Sequence, residues 1–440
     1  MNKYLIQGNA TRIPLESESV QCIILSSPYF RLRSYTTEER KNQEIGSEEL
    51  HDCLGWATAN FCGECFVCHT LEWAREAHRV LRNDGVMFFN IGDTYNGSGG
   101  SGGDYNEGGM RDGQPKFKGT HIDNLKPKDL IGIPWHVAFA LQYDGWYLRN
   151  EIIWHKPNAM PEGGARDRCG RDHEQVFLFS KSNKYYFDID AIREPNQTLD
   201  AELNRKNFFD VQNYEGDQDA AKENGVGKIR KDRVRSDDFN ILGRKKRTVW
   251  SINTVGTSGS HFAKFPPELV DVCIKGGTSE YGCCSNCGAP YKRIVERTFD
   301  GEYNDKEGLK QRERMYGVAW GGLKRVTLGR TENVSNKTIG WERTCDCLIQ
   351  ENYHGDPTAI LEEPQWIPYP VIPCTVLDPF VGSGTTLLVA RQLKRNAIGL
   401  DLSFHYLNND AKNRLGITAR NEWLEKVKVN AVEEKSMFDN

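Results

Sequence analysis

Two short runs hold residue types that could do chemistry together. Residues 23–29 read Ile-Ile-Leu-Ser-Ser-Pro-Tyr. The apolar part predicts a buried strand, and it ends in two serines, a rigid proline and a phenol. The strand thus ends in a polar-Pro-aromatic step, Ser26-Ser27-Pro28-Tyr29. Residues 376–386 read Val-Leu-Asp-Pro-Phe-Val-Gly-Ser-Gly-Thr-Thr. This predicts a strand that runs into a glycine turn and a helix, which lets backbone approach a nucleotide-type ligand closely. Asp378, Pro379, Phe380, Gly382, Gly384, Thr385 and Thr386 form the candidate binding turn. Asp401, ending the next strand at 397–401, is placed to accept two ribose hydroxyls.

The chemistry of the turn narrows the ligand. It lacks the third glycine of a dinucleotide fingerprint and the lysine of a phosphate loop. An aspartate before the turn suits a cationic group better than a pyrophosphate. S-adenosylmethionine, with an ammonium and no phosphate, fits better than NAD or ATP. The order of the runs is also informative. A glycine-turn strand usually opens its sheet, yet only one strand and a short tail follow it here. The other strands must come from earlier residues, so the domain reads as circularly permuted.

Those strands and helices can be placed from pattern. Strands are expected at 4–6, 20–25, 86–91, 146–154 and 174–179. Helices are expected at 70–82, stopped by Asn83-Asp84-Gly85, at 129–143, entered through Pro134, and at 262–276, starting at a proline pair. At 440 residues the chain can hold two to three domains. No apolar run approaches the roughly 20 residues of a membrane helix, and no signal peptide is evident, so a cytoplasmic protein without membrane contact is expected. A net charge of −4 means that any nucleic-acid footprint is local.

The thirteen cysteines cluster. Cys53, Cys62, Cys65 and Cys68 offer four thiolates, with His51 and His69 as spare ligands. Cys284, Cys287, Cys345 and Cys347 pair two knuckles across an insertion, with Cys283 an alternative to Cys284. In a cytosolic chain such spacing suggests structural zinc at one or two sites.

In its motifs the chain resembles the β-class amino-group DNA methyltransferases, the cytosine-N4 and adenine-N6 enzymes, in which the target motif precedes the cofactor motif. Ser26-Ser27-Pro28-Tyr29 is similar to their (Ser/Asp/Asn)-Pro-Pro-(Tyr/Phe) motif, with Ser27 where the family usually has proline. Further similarity lies in residues 30–35, 80–85, 90–95 and 154–158, in His261-Phe262 and in Phe265-Pro266-Pro267. The resemblance implies a Rossmann-like α/β sheet that binds S-adenosylmethionine, with Asn9 near the cofactor adenine and Phe265 in the cofactor site. It implies double-stranded DNA as substrate, extrusion of the target base, and a restriction endonuclease of the same system as partner. Ser rather than Asp at position 26 resembles the cytosine-N4 subgroup, with adenine N6 the alternative. A different reading is a zinc-containing DNA-binding protein with weak catalysis.

The expected organisation is a catalytic half at 1–158 carrying a cysteine knuckle at 51–69, and a target-recognition region at 159–260 with a basic loop. A cofactor half follows at 261–281 and 370–440, interrupted by a zinc-knuckle insertion at 282–347. Nine cations fall within residues 228–247. Of these Arg230, Arg233, Arg235, Arg244, Lys245 and Lys246, together with Arg33, Lys156, Arg168 and Arg171, are the candidate DNA contacts.

Overall fold

Among the described residues the apolar runs become the middle of an eight-stranded sheet. In the computed structural model the described residues are 3–30, 45, 46, 48, 61–97, 122, 125–160, 166–194, 244–255, 265–299, 334–350, 366–404 and 406–416. The chain divides into one unit of Met1–Asp188, Arg247–Lys292 and Glu342–Asn440, and a second of Ile189–Lys246 and Arg293–Trp341.

The first unit holds the sheet. Its strands are β1 (Lys3–Gln7), β2 (Val20–Ser26), β3 (Leu81–Ile91), β4 (Tyr147–His155), β5 (His173–Ser180) and β6 (Val249–Ser251). After a short strand, β7 (Cys283–Cys284), and the strands β8 (Lys292–Phe299), β9 (Val334–Glu342), β10 (Leu348–Gln350), β11 (Trp366–Pro368) and β12 (Val371–Ile372), the chain returns to the sheet with β13 (Thr375–Asp378) and β14 (Asn396–Asp401). The order across the sheet is β1-β14-β13-β2-β3-β5-β4-β6. The five strands from β1 to β3 are mutually parallel, and β5 runs against both β3 and β4. The two strands last in the sequence thus lie between the first two.

Strand alternation sorts the core into two layers. Ile23, Leu25, Met87 and Phe89 face one way, toward α1 (Phe66–Val80) and α2 (Ile133–Tyr143). Cys22, Ile24, Val86 and Phe88 face the other, toward α3 (Pro267–Gly277), α4 (Thr385–Gln392) and α5 (Lys412–Leu415). Helices on both faces of a mostly parallel sheet are the expected solution for strands that are apolar on both sides. Trp73 of α1 is fully buried and packs edge-on to both Phe89 and Phe380, so one helix residue joins the sheet to the glycine turn.

Two boundaries depart from the sequence expectation. The helix expected at 70–82 ends at Val80, and β3 begins at Leu81. Asn83-Asp84-Gly85 is no helix stop but an irregularity within the strand: Val20 faces Leu81 and Cys22 faces Val86. The helix expected from 129 starts at Ile133, because its free amides are capped from a distance. Asp93 Oδ1 and Oδ2 accept from Gly132 N at 3.0 and 3.1 Å, and Oδ1 also accepts from Ile133 N. Within 159–260 the strand expected at 174–179 is present as β5. Residues 173–180 and 249–251 of that stretch are strands of the central sheet, because Val176-Phe177-Leu178-Phe179 is an apolar run that is buried there.

In the second unit β8 pairs with β9, and the Arg293 guanidinium lies 4.5 Å above the Trp341 ring. Glu194 Oε2 accepts from Arg244 Nε at 2.9 Å. No described helix is long and apolar enough to cross a membrane.

Candidate active site

The Ser-Ser-Pro-Tyr run and the glycine-turn run meet through backbone hydrogen bonds. β13 pairs with β2 in parallel, with Val376 opposite Cys22 and Leu377 opposite Ile23. Parallel pairing puts their C-terminal ends on one edge. Asp378 and the glycine turn leave β13 there, and Ser26-Ser27-Pro28-Tyr29 leaves β2 beside them. The end of β1 joins from the other side, where Gln7 faces Asp401 and Gly8 N donates to Asp401 O at 3.1 Å. Asn9 follows directly, its side chain folded onto the Thr11 amide at 3.0 Å. Phe265 packs against the core layer formed by α3 and α4.

The glycine turn is held from within. Asp378 accepts from Phe380 N (Oδ1, 3.0 Å) and from Thr386 Oγ1 (Oδ2, 2.6 Å). Asp401 accepts from Gly382 N (Oδ2, 2.9 Å) and Ser403 N (Oδ1, 2.8 Å). Gly384, at φ 77°, starts α4 in a conformation that disfavours a side chain, and a Cβ there would approach Ala411 Cβ to 3.3 Å. Burial pushes the Asp378 carboxyl up to about 7, reinforced by Asp401 and opposed by the Thr386 and Phe380 donors. Burial likewise raises Asp401 to about 6, against the Ser403 and Gly382 amides. Asp378 is 1% exposed, with both carboxylate oxygens taken by donors of the turn and its helix. A cation completes the set: Arg414 Nη1 donates to Ser383 Oγ at 3.1 Å and Thr385 Oγ1 at 2.7 Å.

On the β2 side, Tyr29 is anchored in a polar network built by three neighbouring strands. Ser26 faces Asn90 across the β2–β3 pair. Because β5 runs antiparallel, its first residues reach the same edge. Tyr29 Oη donates to Glu174 Oε2 at 2.7 Å, and Ser26 Oγ donates to Tyr29 Oη at 3.4 Å. Asn90 Nδ2 also donates to Glu174 Oε2, at 3.1 Å. The other carboxylate oxygen, Oε1, pairs with Lys156 Nζ, whose ammonium lies 4.4 Å above the Trp154 ring. Gly92 makes room for the phenol, since a Cβ there would lie 2.6 Å from Tyr29 Cε2.

The candidate DNA contacts fall into three groups. Lys156 and Arg171 turn inward: Lys156 is committed to Glu174, and Arg171 Nη1 lies 3.9 Å from the buried carboxylate of Asp93. Arg168 stays at the surface with its guanidinium 3.8 Å above the Tyr95 ring. Lys245 is exposed, while Arg244 and Lys246 both reach Glu194. Arg33, Arg230, Arg233 and Arg235 lie outside the described residues.

Both cysteine sets assemble. The ligand atoms of Cys284, Cys287, Cys345 and Cys347 lie within 4.8 Å of one another, as do those of Cys62, Cys65 and Cys68. Cys53 lies outside the described residues. Cys283, the alternative to Cys284, is excluded from the set: it is buried and its thiol approaches Ile372 O at 3.5 Å. Burial raises the Cys62 thiol, but the Glu64 and Cys65 amides and the neighbouring thiols outweigh it and lower the group to about 6. The four-cysteine knuckle sits at the opposite edge of the sheet from Ser26. Gln21, at the start of β2, donates from Nε2 to Gly288 O at 3.1 Å and accepts at Oε1 from Thr375 N at 2.6 Å, and Arg82 bonds to Cys287 O.

Sequence reasoning misses Asn90, Gly92, Glu174 and Arg414 as site residues. Asn90 and Gly92 stand in the similar stretch 90–95 without a role that spacing alone could assign. Glu174 marks only the start of a strand, and its place follows from the antiparallel course of β5.

A glycine turn and a Ser-Ser-Pro-Tyr step side by side at the strand ends define an amino-directed methyltransferase. The chain matches the profile of the DNA methylase family, covering the N6 and N4 methyltransferases, over residues 20–284 and 374–413, and it belongs to that family. It is 35% identical over 276 residues to the type II methyltransferase M.SmaI of Serratia marcescens, spanning 61% of this chain and 72% of that one. It is 37% identical over 283 residues to M.Cfr9I of Citrobacter freundii, spanning 62% and 72%. With M.SfiI of Streptomyces fimbriatus it shares 27% over 415 residues, spanning 90% and 86%. Among solved structures it aligns with the PvuII DNA methyltransferase (cytosine-N4-specific) at 12% identity and a TM-score of 0.44, covering 97% of this chain and 91% of that one.

The close approach at Gly92 gives a direct test. Gly92→Ala is expected to displace the Tyr29 ring and lower methyl transfer to DNA by roughly 100-fold, as a misplacement near 1 Å can. Tm, followed by circular dichroism, should change little. Wild-type turnover in this variant would show that Tyr29 placement does not matter to transfer.

Proposed function

We propose that this chain transfers a methyl group from S-adenosylmethionine to the exocyclic N4 of a cytosine extruded from double-stranded DNA. The observation that carries the proposal is the shared strand edge, where Ser26 and the anchored Tyr29 stand next to the glycine turn. The residues present fit the cofactor. Asp378 and Asp401 favour positive charge at the turn, Arg414 favours a carboxylate, and Asn9 stands beyond the strand next to Asp401. Phe380, Gly382, Gly384, Thr385 and Thr386 complete the cradle, with Pro379 fixing its entry and Phe265 near its rear wall. When bound, S-adenosylmethionine supplies a methyl group activated on a sulfonium.

The protein's own groups do the rest. An exocyclic amine is a weak nucleophile because its lone pair is delocalised into the ring. Acceptance of its hydrogens by Ser26 Oγ and the Ser27 carbonyl favours the tetrahedral nitrogen that can attack. Pro28 keeps the acceptors in place, and Tyr29 offsets the few kcal/mol of unstacking by covering the extruded base. Ser at position 26 favours cytosine N4 over adenine N6.

We read the chain order as a circular permutation, in which the cofactor strands close a sheet begun by the target strand. DNA phosphates fall to Arg33, Arg168 and the basic stretch that includes Arg230, Arg233, Arg235 and Lys245. A restriction endonuclease of the same system is the expected partner. Zinc on Cys284, Cys287, Cys345 and Cys347, and a second ion on Cys53, Cys62, Cys65 and Cys68, serve structure. The first of these knuckles is tied to Gln21 and Arg82, far from the reacting edge.

Two outcomes are expected. Purified protein with tritiated cofactor and unmethylated plasmid DNA should label the DNA, and mass spectrometry of the nucleosides should show N4-methylcytosine. N6-methyladenine instead would overturn the base assignment, and no labelling would overturn the enzyme.

The acid pair sets a pH dependence. Asp378 and Asp401 hold protons up to about 7 and about 6 in the free protein, so their stability contribution is present below the ordinary carboxylate range and is lost as pH rises through those values. A cationic ligand favours their ionised forms. Calorimetry should therefore show affinity for S-adenosylmethionine rising from pH 6 to pH 8, and more steeply than for methylthioadenosine, which has the ribose but no charge. A flat profile for both would exclude the acids from a role in binding.

Elemental analysis should find at least one zinc per chain. Cys287→Ser should lose one equivalent and lower Tm. Retention of both would exclude the knuckle as a metal site.

A further inference from the structure

Transfer to an amine leaves a proton to be disposed of. The nitrogen forms its N–C bond with its own electron pair, while the C–S bond breaks and its pair stays on sulfur. The nitrogen then carries one hydrogen too many. Methyl transfer by itself does not specify where that proton goes.

We propose, on the basis of the methyltransfer reading, that Ser26, Tyr29 and Glu174 form a proton-release chain from the target amine. The hydrogen-bond directions run one way. Ser26 Oγ donates to Tyr29 Oη at 3.4 Å, and Tyr29 Oη donates to Glu174 Oε2 at 2.7 Å. The phenol has one proton and two acceptors in reach. Asn90 Oδ1 is at 3.2 Å, so the nearer carboxylate, paired with Lys156, takes it. As the amine proton passes to Ser26 Oγ, the serine proton moves to Tyr29 Oη and the tyrosine proton to Glu174 Oε2. Each hydroxyl oxygen gains one proton and loses one, and only the carboxylate changes charge. A weak acceptor suffices, because an aromatic amine carrying a fourth substituent is a strong acid.

The surroundings suit a positioned acceptor. Glu174 and Lys156 each keep 18% side-chain exposure, enough to return the proton to water. Asn90 Nδ2 and Lys156 fix both carboxylate oxygens, and Gly92 lets the ring sit where its hydroxyl spans the gap. The first link is long, as catalytic hydrogen bonds often are before substrate tightens them. A stacking role alone would not require the phenol hydroxyl. In this chain Tyr29 serves twice, by its face for the base and by its hydroxyl for the proton. Glu174 is a positioning residue that acts through Tyr29.

The test uses the full chain, S-adenosylmethionine and unmethylated plasmid DNA, in single-turnover and steady-state assays. Tyr29→Phe keeps the ring and removes the hydroxyl. It should lower the transfer rate about 100-fold, the low end for a lost proton-transfer group, with KM for DNA and cofactor unchanged. Glu174→Gln should do the same and Glu174→Asp should recover part of the rate. The Tyr29→Phe/Glu174→Gln double variant should fall no further than either single one. The wild type should be slower in heavy water, and Tyr29→Phe should have a different solvent isotope effect. Wild-type rates in Tyr29→Phe would overturn the chain while leaving the methyltransferase reading intact. So would fully multiplicative losses in the double variant. An inactive wild type would overturn both. If Glu174→Gln fails to fold, Tyr29→Phe decides alone.

Discussion

The pairing of β13 with β2 is the joint on which the rest depends. Its backbone hydrogen bonds join segments at opposite ends of the chain, and the contact just below it, between Gln21 and Thr375, spans 354 residues. Because the pairing is parallel, whatever leaves one strand at its C-terminal end emerges beside whatever leaves the other. A binding turn and a polar-proline-aromatic step become neighbours by register alone. The helices on both faces then have one task, which is to keep those strands dry enough for the register to hold.

From that joint outward, charge is organised by burial. On the β13 side two carboxylates hold the turn by its own amides and are pushed toward neutrality. On the β2 side a carboxylate is shared among a phenol, an amide and an ammonium. The contrast matches two different needs. On the proposed reading, a charged ligand would meet acids that can ionise in response, and an uncharged base would meet hydrogen bonds already aligned.

The parallel half of the fold is legible in the sequence because its strands are apolar on both faces and end in distinctive residues. Ser26, Tyr29, Asp378 and Asp401 stand at strand ends, and sequence alone can locate a strand end. The network around Tyr29 is not legible. Glu174 reaches the site only because β5 runs antiparallel between β3 and β4, and nothing in residues 173–180 announces their neighbours. Lys156 reads as a surface cation because composition cannot distinguish an ammonium over Trp154 from one in water. Asn83-Asp84-Gly85 carries a true turn signal, but the strand absorbs it as an irregularity instead of ending a helix. The cysteine spacings are readable because metal-type knuckles are local in sequence, and only the choice between Cys283 and Cys284 needs three dimensions.

The position of β13 and β14 between β1 and β2 bears on how the protein is made. A ribosome releases β1 and β2 before β13 and β14, the strands that come to lie between them. Until then two apolar strands carry open edges whose proper neighbours do not yet exist, a state prone to wrong pairing. Closing such distant contacts is slow. When the late strands insert, binding turn, target step and sheet are completed in one event. A partly synthesised chain has Ser26 and Tyr29 but not yet the turn that the β13–β2 pairing sets beside them.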